Sequence, residues 1–356
     1  MEAIRKPLRI DILNEKGRDA PVYYRAGPGA PDAGVHPPVN YWAFAACSGG
    51  RFYQQLRDVD LGADAIIVLL RQRNGATLEA VDALKRLGRR VYISWKETGL
   101  HQLAQQTRWP WQRNTLKKIH ALADGAVAVT LGAIEHYRRF GGEDYPVHFI
   151  PTPYPVDVPG WDFSAPVGER QGIFIGTRQF DVPSRRHAET LALAAAAARK
   201  LGCRVTVLNT DGAGARRKIQ RLLAGAQLNL VERRLSYPDY LRLMAGHRLV
   251  LQRDASNVPG QVAGDALLCR IVNVGGDGTV QRAVFPEYSR INDDEAALAA
   301  VLEKLLTDDT AYAEAVDLSL QRAMQVLSYR AGREKLNVLL GIDEATVRIA
   351  RQPLPP

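Results

Sequence analysis

The chain has 356 residues, 46% of them apolar, and its 47 Lys and Arg against 38 Asp and Glu give a formal net charge of +9. That length is too great for one ordinary core and favours two domains. The positive balance favours anionic partners (phosphates, nucleic acid or an acidic membrane surface), and solubility alone accounts for it equally well. Cys47, Cys203 and Cys269 are widely separated and form no CxxC, which argues against a disulfide framework or a zinc knuckle. No signal-peptide core opens the sequence, and no apolar stretch approaches the ~20 residues that span a bilayer. A soluble cytoplasmic protein is the expectation.

Taken in chain order, short apolar runs at 8–14 (LRIDILN), 63–70 (ADAIIVLL), 89–95 (RRVYISW), 125–130 (GAVAVT) and 147–151 (VHFIP) predict strands. Helical periodicity lies between the later ones, at 76–87, 112–123 and 131–140. Continuous apolar strands alternating with helices predict a parallel sheet covered on both faces. Residues 151–172 then hold five prolines and three glycines, a turn-rich connector. After it the alternation restarts. Strands are predicted at 172–177, 203–209, 228–232, 247–252 and 270–274, and helices at 185–201, 214–224, 237–245 and 261–268. Helical periodicity dominates 294–341. The fold class expected is α/β, with two Rossmann-like parallel-sheet domains facing a cleft. Their bounds are 1–160 and 161–328, with a helix and tail at 329–356 returning to the first domain. Open parallel sheets bind ligands beyond the carboxyl ends of their strands.

The stretch SNVPGQVAGDALLCRIVNVGG (256–276) runs from loop to helix to strand. Pro259 and Gly260 suit a helix start, because proline lacks an amide hydrogen that the first turn leaves unbonded anyway. Free amides at Gly260, Gln261 and Val262, with the helix dipole, form an anion site. Asp265 lies about one turn further in, where a carboxylate can accept two hydrogen bonds from a diol such as a ribose. An ordinary helix start with a solvated acid is the plain alternative. A second anion site is predicted in GTRQFDVPSRRHAET (176–190), with Gly176, Arg178, Arg185 and Arg186 beside a helix start that Ser184 can cap. Guanidinium groups there suit a diphosphate through bidentate, charge-assisted bonds. Arginines that merely solubilise a helix are the alternative.

In the first half, ISWKETGLHQL (93–103) follows a strand, so Lys96, Glu97, Thr98 and His101 fall at a cleft edge. Histidine is the usual proton mover near neutral pH, though one at a helix start also serves as a cap. RWPWQRNTLKK (108–118) sets Trp109 and Trp111 among Arg108, Arg113, Lys117 and Lys118. Interfacial tryptophans beside basic residues suit peripheral contact with an anionic membrane and a lipid-linked acceptor. A buried tryptophan pair packing a helix start is the other reading. Asp58-Val59-Asp60 precedes a predicted strand and reads as a turn rather than a metal–nucleotide site. No nucleic-acid motif is found.

The order of these parts resembles the GT-B glycosyltransferases, family 4 especially, over roughly residues 60–330. ADGAVAVTLGAIEHYRRFG and VHFIPTPYPVD resemble the segments that close the family's first lobe. GIFIGTR resembles the opening of the second lobe, ERRLSYPDYLRLMAGHRLVLQ its passage from the nucleobase loop into a helix and strand, and 256–276 its glutamate-and-glycine motif. The resemblance implies a retaining, metal-independent transfer of a sugar from a UDP- or GDP-linked donor to a glycan or lipid-linked acceptor, with no resident cofactor. It implies ribose binding for Asp265, which matches the second family glutamate. Asn257 stands where the family places the first, near the donor sugar, and is the catalytic candidate with His101. The resemblance assigns the first domain to the acceptor and the second to the donor. Gly49 and Gly50 in CSGGRFYQQL resemble a glycine-rich turn that some members place after the first strand against the donor phosphates, and are candidates on the acceptor side. Because Asn257 carries no charge, a non-catalytic nucleotide- or glycan-binding subunit of a polysaccharide-synthesis machine is the alternative. An enzyme isomerising a nucleotide sugar on the same scaffold is a third reading.

Overall fold

In the computed structural model, which describes residues 8–25 and 27–341, the continuous apolar runs become the central strands of two sheets. The chain divides into two units, one holding residues up to Asp157 together with Val326 onward, the other Val158–Gln325.

The first unit contains β1 (Ile10–Leu13), β2 (Val22–Tyr23), α1 (Tyr41–Ser48), β3 (Arg51–Tyr53), β4 (Ala65–Leu70) and α2 (Gly75–Arg86). There follow β5 (Val91–Trp95), α3 (Leu100–Gln106), α4 (Pro110–Leu122), β6 (Gly125–Ala128), α5 (Ile134–Gly141) and β7 (Val147–Phe149). The seven strands lie in the order β2-β3-β1-β4-β5-β6-β7, all parallel except the short β2. Every residue of β4 is buried, which is why the strand reads as an unbroken apolar run. Helix α2 buries Thr77, Ala80, Val81 and Leu84, one face at helical spacing. Tyr137 of α5 ties this layer to the sheet: its hydroxyl accepts the Trp95 amide at 2.7 Å.

The second unit contains β8 (Ile173–Thr177), α6 (His187–Leu201), β9 (Arg204–Asn209), α7 (Gly212–Leu222), β10 (Gln227–Val231) and α8 (Tyr237–Ala245). It continues with β11 (Leu249–Leu251), α9 (Gln261–Leu268), β12 (Val272–Val274), α10 (Thr279–Val284), α11 (Pro286–Arg290) and α12 (Glu295–Thr307). Its five-stranded sheet is wholly parallel, in the order β10-β9-β8-β11-β12. Helix α13 (Asp309–Val326) leads out of this unit, and α14 (Tyr329–Leu339) packs in the first unit against α1. Residues 342–356 of the expected tail lie outside the described residues.

Each sheet reverses its strand order once. The first does so between β1 and β4, because the chain adds β3 on one side and then crosses to the other. The second does so between β8 and β11. Loops leaving two neighbouring strands in opposite directions open a crevice at the strands' carboxyl ends, the preferred ligand position of doubly wound sheets. The Asp58–Asp60 segment is a turn: Asp58 ends a 3-10 turn, and Asp60 pairs with Arg9 at 2.9 Å and accepts the Gly62 amide at 2.8 Å.

Candidate functional site: a crevice in each sheet

At the second crevice the loops after β8 and β11 are locked together. The Ala255 amide donates to the Ser184 carbonyl at 2.7 Å, and the Ser256 and Ser184 hydroxyls share a hydrogen bond of 2.8 Å. Arg185 joins the same seam through an ion pair with Asp254 and donates to Gln179 Oε1 at 3.2 Å. Asp254 is buried and also accepts the Ser256 amide at 2.8 Å. Arg185 is thus a clasp between two loops. Arg186 takes the left-handed conformation at the start of α6 and pairs with the exposed Asp293. Arg178 is exposed, and no ion pair to it is found among the described residues. Of the three arginines read as diphosphate ligands, Arg178 therefore presents the most available charge.

The start of α9 is shaped by glycine. Gly260 precedes the helix with φ 88°, and a Cβ there would sit 2.3 Å from Gln281 Oε1 and 3.2 Å from Val280 Cβ. A side chain at 260 is excluded by space and by backbone conformation together. Gly176, near the end of β8, faces Val262: a Cβ there would lie 3.8 Å from Val262 Cγ2, an ordinary contact. The segments read separately as anion sites, 176–186 and 260–262, thus meet at one crevice. Asn257 also takes positive φ, 52°, and its amide donates to Asp277 Oδ1 at 2.9 Å. Burial pushes the Asp277 carboxyl up. Neither Asp254 nor Asp277 was singled out from sequence; both stand in loops, outside any periodic pattern.

Asp265 is not a solvated acid. It is 1% exposed, its Oδ1 accepts the Tyr237 hydroxyl at 2.6 Å, and a hydrogen bond from Tyr240 joins it. Burial raises its carboxyl to about 7 against the lowering effect of these phenols. The two tyrosines come from α8, and their link to Asp265 is a tertiary contact that no local spacing reveals.

The first crevice is a cavity of about 610 Å³ beyond the carboxyl ends of β1, β4 and β5. Lys96 and Glu97 line it, and Lys96 pairs with Asp19. Thr98 is buried beside it, and His101, second residue of α3, stands outside its lining although Gln102, Gln105 and Gln106 of that helix belong to it. Gly49 and Gly50 are a correction to the sequence reading. They lie at the other end of the sheet, where Gly49 closes α1 and a Cβ on Gly50 would fall 1.9 Å from the Ile10 carbonyl oxygen. That pair turns α1 into β3 and fits it against the start of β1, away from the crevice.

The tryptophans are not a buried pair. Trp109 is 49% and Trp111 52% exposed, flanking Pro110 at the first turn of α4, with the Arg108 guanidinium 4.8 Å from the Trp109 ring. No acid occurs between Glu97 and Asp124. None of the helices among the described residues is long and apolar enough to cross a membrane.

No family model matches the sequence, and no curated protein matches it. Solved structures do. Sucrose-phosphate synthase from Thermosynechococcus elongatus aligns with a TM-score of 0.60 at 14% identity, over 94% of this chain and 98% of its own. The chain has the GT-B fold. HepE of Anabaena, solved with UDP and glucose, aligns with a TM-score of 0.57 at 13% identity, over 94% of this chain and 100% of that one. An α-glucosyltransferase solved with UDP-glucose and DNA gives 0.64 at 9% identity, over 94% and 99%. These GT-B neighbours are nucleotide-sugar glycosyltransferases, and at such identities the likeness speaks for fold.

Proposed function

We propose that this GT-B chain is a retaining, metal-independent glycosyltransferase that takes a sugar from a nucleoside-diphosphate donor and passes it to a glycan or lipid-linked acceptor. The observation that carries the reading is the seam at the β8/β11 crevice. There Arg178, exposed and with no ion pair found among the described residues, stands on the loop after β8, whose strand-end Gly176 faces Val262 in the first turn of α9. Breaking the anomeric C–O bond leaves negative charge on the diphosphate and oxocarbenium character on the sugar. In this reading Arg178 and the first amides of α9, at Gln261 and Val262, stabilise the departing diphosphate more than the bound donor. Arg186 joins them when it leaves Asp293, and Arg185 holds the loop that carries Arg178. Asn257 meets the donor sugar as a neutral hydrogen-bonding group. Asp265 reaches the ribose through the Tyr237 phenol it holds, because its own carboxylate is enclosed.

The acceptor side of the reading rests on the first crevice and on the exposed Trp109–Trp111 corner. With Arg108, Arg113, Lys117 and Lys118, that corner suits an anionic membrane surface. Binding to phosphatidylglycerol vesicles that survives Trp109→Ser with Trp111→Ser counts against this part. The function itself is tested by incubating the chain with a panel of UDP- and GDP-sugars and scoring release of the nucleoside diphosphate. Slow hydrolysis of one donor class is expected. Stabilisation by a nucleoside diphosphate with no turnover of any donor, across a broad acceptor panel, favours a non-catalytic binding subunit instead.

A further inference from the structure

The charges of the first crevice differ in state from those of the second. Lys16, Arg71 and Arg73 line it, and no ion pair to any of them is found among the described residues. Of its acids, Glu15 is already engaged, accepting the Leu56 amide at 2.6 Å. Lys96 leans on Asp19, and Glu97 is exposed. Like charges converging on one cavity repel, so the arrangement costs free energy until an anion enters.

The backbone supplies the rest of an anion site. Gly75 and Ala76 line the same cavity, and they form the first turn of α2, a 12-residue helix with no acid in that turn. First-turn amides have no acceptor within the helix and carry the positive end of its dipole. The Asn74 side chain, 1% exposed, accepts the Arg71 amide at 2.6 Å and so fixes the loop that carries Arg71 and Arg73. Its Nδ2 has no partner among the described residues. Gln106, 4% exposed, also lines the cavity, donates through Nε2 to the Glu97 carbonyl at 3.0 Å, and keeps a buried Oε1 without a partner among the described residues. Unsatisfied buried amides beside a cavity are acceptors and donors in waiting for a polar ligand. All these groups sit at the strand-order reversal of the sheet, where a ligand is expected on topology alone.

We infer that this crevice binds the phosphate of a phosphorylated, hydroxyl-rich acceptor, with Arg71, Arg73, Lys16 and the α2 amides on the phosphate and the α3 glutamines on sugar hydroxyls. The inference deepens the proposed function, on which the word acceptor rests; the phosphate site itself stands on the first unit alone. The same phosphate chemistry is offered by a soluble sugar phosphate and by a lipid-linked sugar whose phosphate joins it to the lipid.

The test uses the full chain and its Arg71→Ala/Arg73→Ala variant, both checked for an unchanged thermal midpoint. Inorganic phosphate and glucose 6-phosphate are titrated with binding read by ³¹P line broadening. In a second arm, a polyprenyl-diphosphate-linked sugar in phosphatidylcholine vesicles is tested by flotation. At least one arm is expected to bind the wild type, weaken in 0.5 M salt, and lose tenfold or more in the variant. Binding of UDP or GDP, whichever the wild type takes, read on the nucleoside protons, is expected to be the same in both proteins. Binding in the first arm assigns the site to a soluble sugar phosphate, and binding in the second alone to a lipid-linked one. Equal phosphate binding by wild type and variant, or none in either arm, overturns the inference. Binding of neither UDP nor GDP by the wild type, with phosphate binding intact, removes the donor reading and leaves the phosphate site. If the double variant does not fold, Arg73→Gln alone is used, with a threefold or larger loss expected.

Discussion

The two crevices occupy the same place in two sheets and are furnished in opposite ways. In the β8/β11 crevice the cations Arg185 and Arg186 are already paired, with Asp254 and Asp293, while Arg178 stands apart. In the β1/β4 crevice Lys16, Arg71 and Arg73 stand around an open cavity with no ion pair among the described residues. The contrast separates two uses of an arginine. A guanidinium facing a buried carboxylate holds chain segments in register, and losing it leaves a buried charge uncompensated. A guanidinium facing only solvent is held ready for a ligand, and losing it changes binding far more than stability.

Four substitutions sharpen this comparison. The largest effect is expected from Gly260→Ala, which puts a methyl into the space of Gln281 Oε1 and forces a left-handed backbone on alanine. A loss of about 3 kcal/mol is expected from chemical denaturation, from the two costs together. Adding Gln281→Ala is expected to recover part of it, because the clash with Gln281 goes while the tight approach to Val280 and the backbone cost stay. Full recovery would show that φ at 260 carries no strain.

Arg185→Ala comes next. The pair with Asp254 is largely buried, so about 2 kcal/mol of stability is expected to go, discounted from a fully enclosed pair. In a double-mutant cycle, Arg185→Ala and Asp254→Asn are expected to couple strongly. Additive losses would deny the clasp. Arg178→Ala is expected to do the reverse, leaving stability within about 0.5 kcal/mol and weakening a nucleoside diphosphate about tenfold, the scale of one charged hydrogen bond. Affinity for the free nucleoside is expected to hold. A structural loss on Arg178→Ala would erase the distinction drawn between the arginines.

The last effect is read as a dependence on pH rather than as a loss at one pH, and it concerns Asp265, whose carboxyl is raised by burial to about 7. Between the ordinary carboxyl range and pH 7 the folded state holds a proton that the unfolded state has released. Stability from this group is therefore fully present at low pH and declines as pH rises through that window. Asp265→Asn keeps a hydrogen-bond acceptor for Tyr237 and removes the titration. Denaturation midpoints of wild type and variant are expected to diverge in the variant's favour from pH 4 to pH 7 and to run parallel above pH 8. Parallel curves throughout would mean the carboxyl is ionised in the fold.

Much of the fold was legible in the sequence because buried parallel strands are continuous apolar runs. Strands β4, β5, β8 and β9 stand out on that ground alone. Helix α1 did not, for the same physical reason inverted: all of YWAFAACS is buried, so no polar face marks a helical period. The paired glycines after it looked like a substrate turn, yet close contact with the Ile10 carbonyl explains Gly50. The β8/β11-crevice segments 176–186 and 260–262 were legible as helix starts with glycine and arginine. Their convergence, and the capture of Arg185 by Asp254, were not, because both depend on sheet order rather than on local spacing. Asp265 was legible as an acid near the helix start, but its enclosure by Tyr237 and Tyr240 is tertiary. The first crevice was half legible: Lys96 and Glu97 follow a strand, whereas Lys16, Arg71 and Arg73 reach the same cavity from two other strands.

The proposed donor role of the β8/β11 crevice is tested most directly by a crystal structure of the chain grown with UDP and, separately, with GDP. The account expects the diphosphate of one of them beside Arg178 and the amides of Gln261 and Val262, with Arg185 still on Asp254. A nucleotide bound elsewhere on the chain, or that crevice empty with both nucleotides at millimolar concentration, would contradict it.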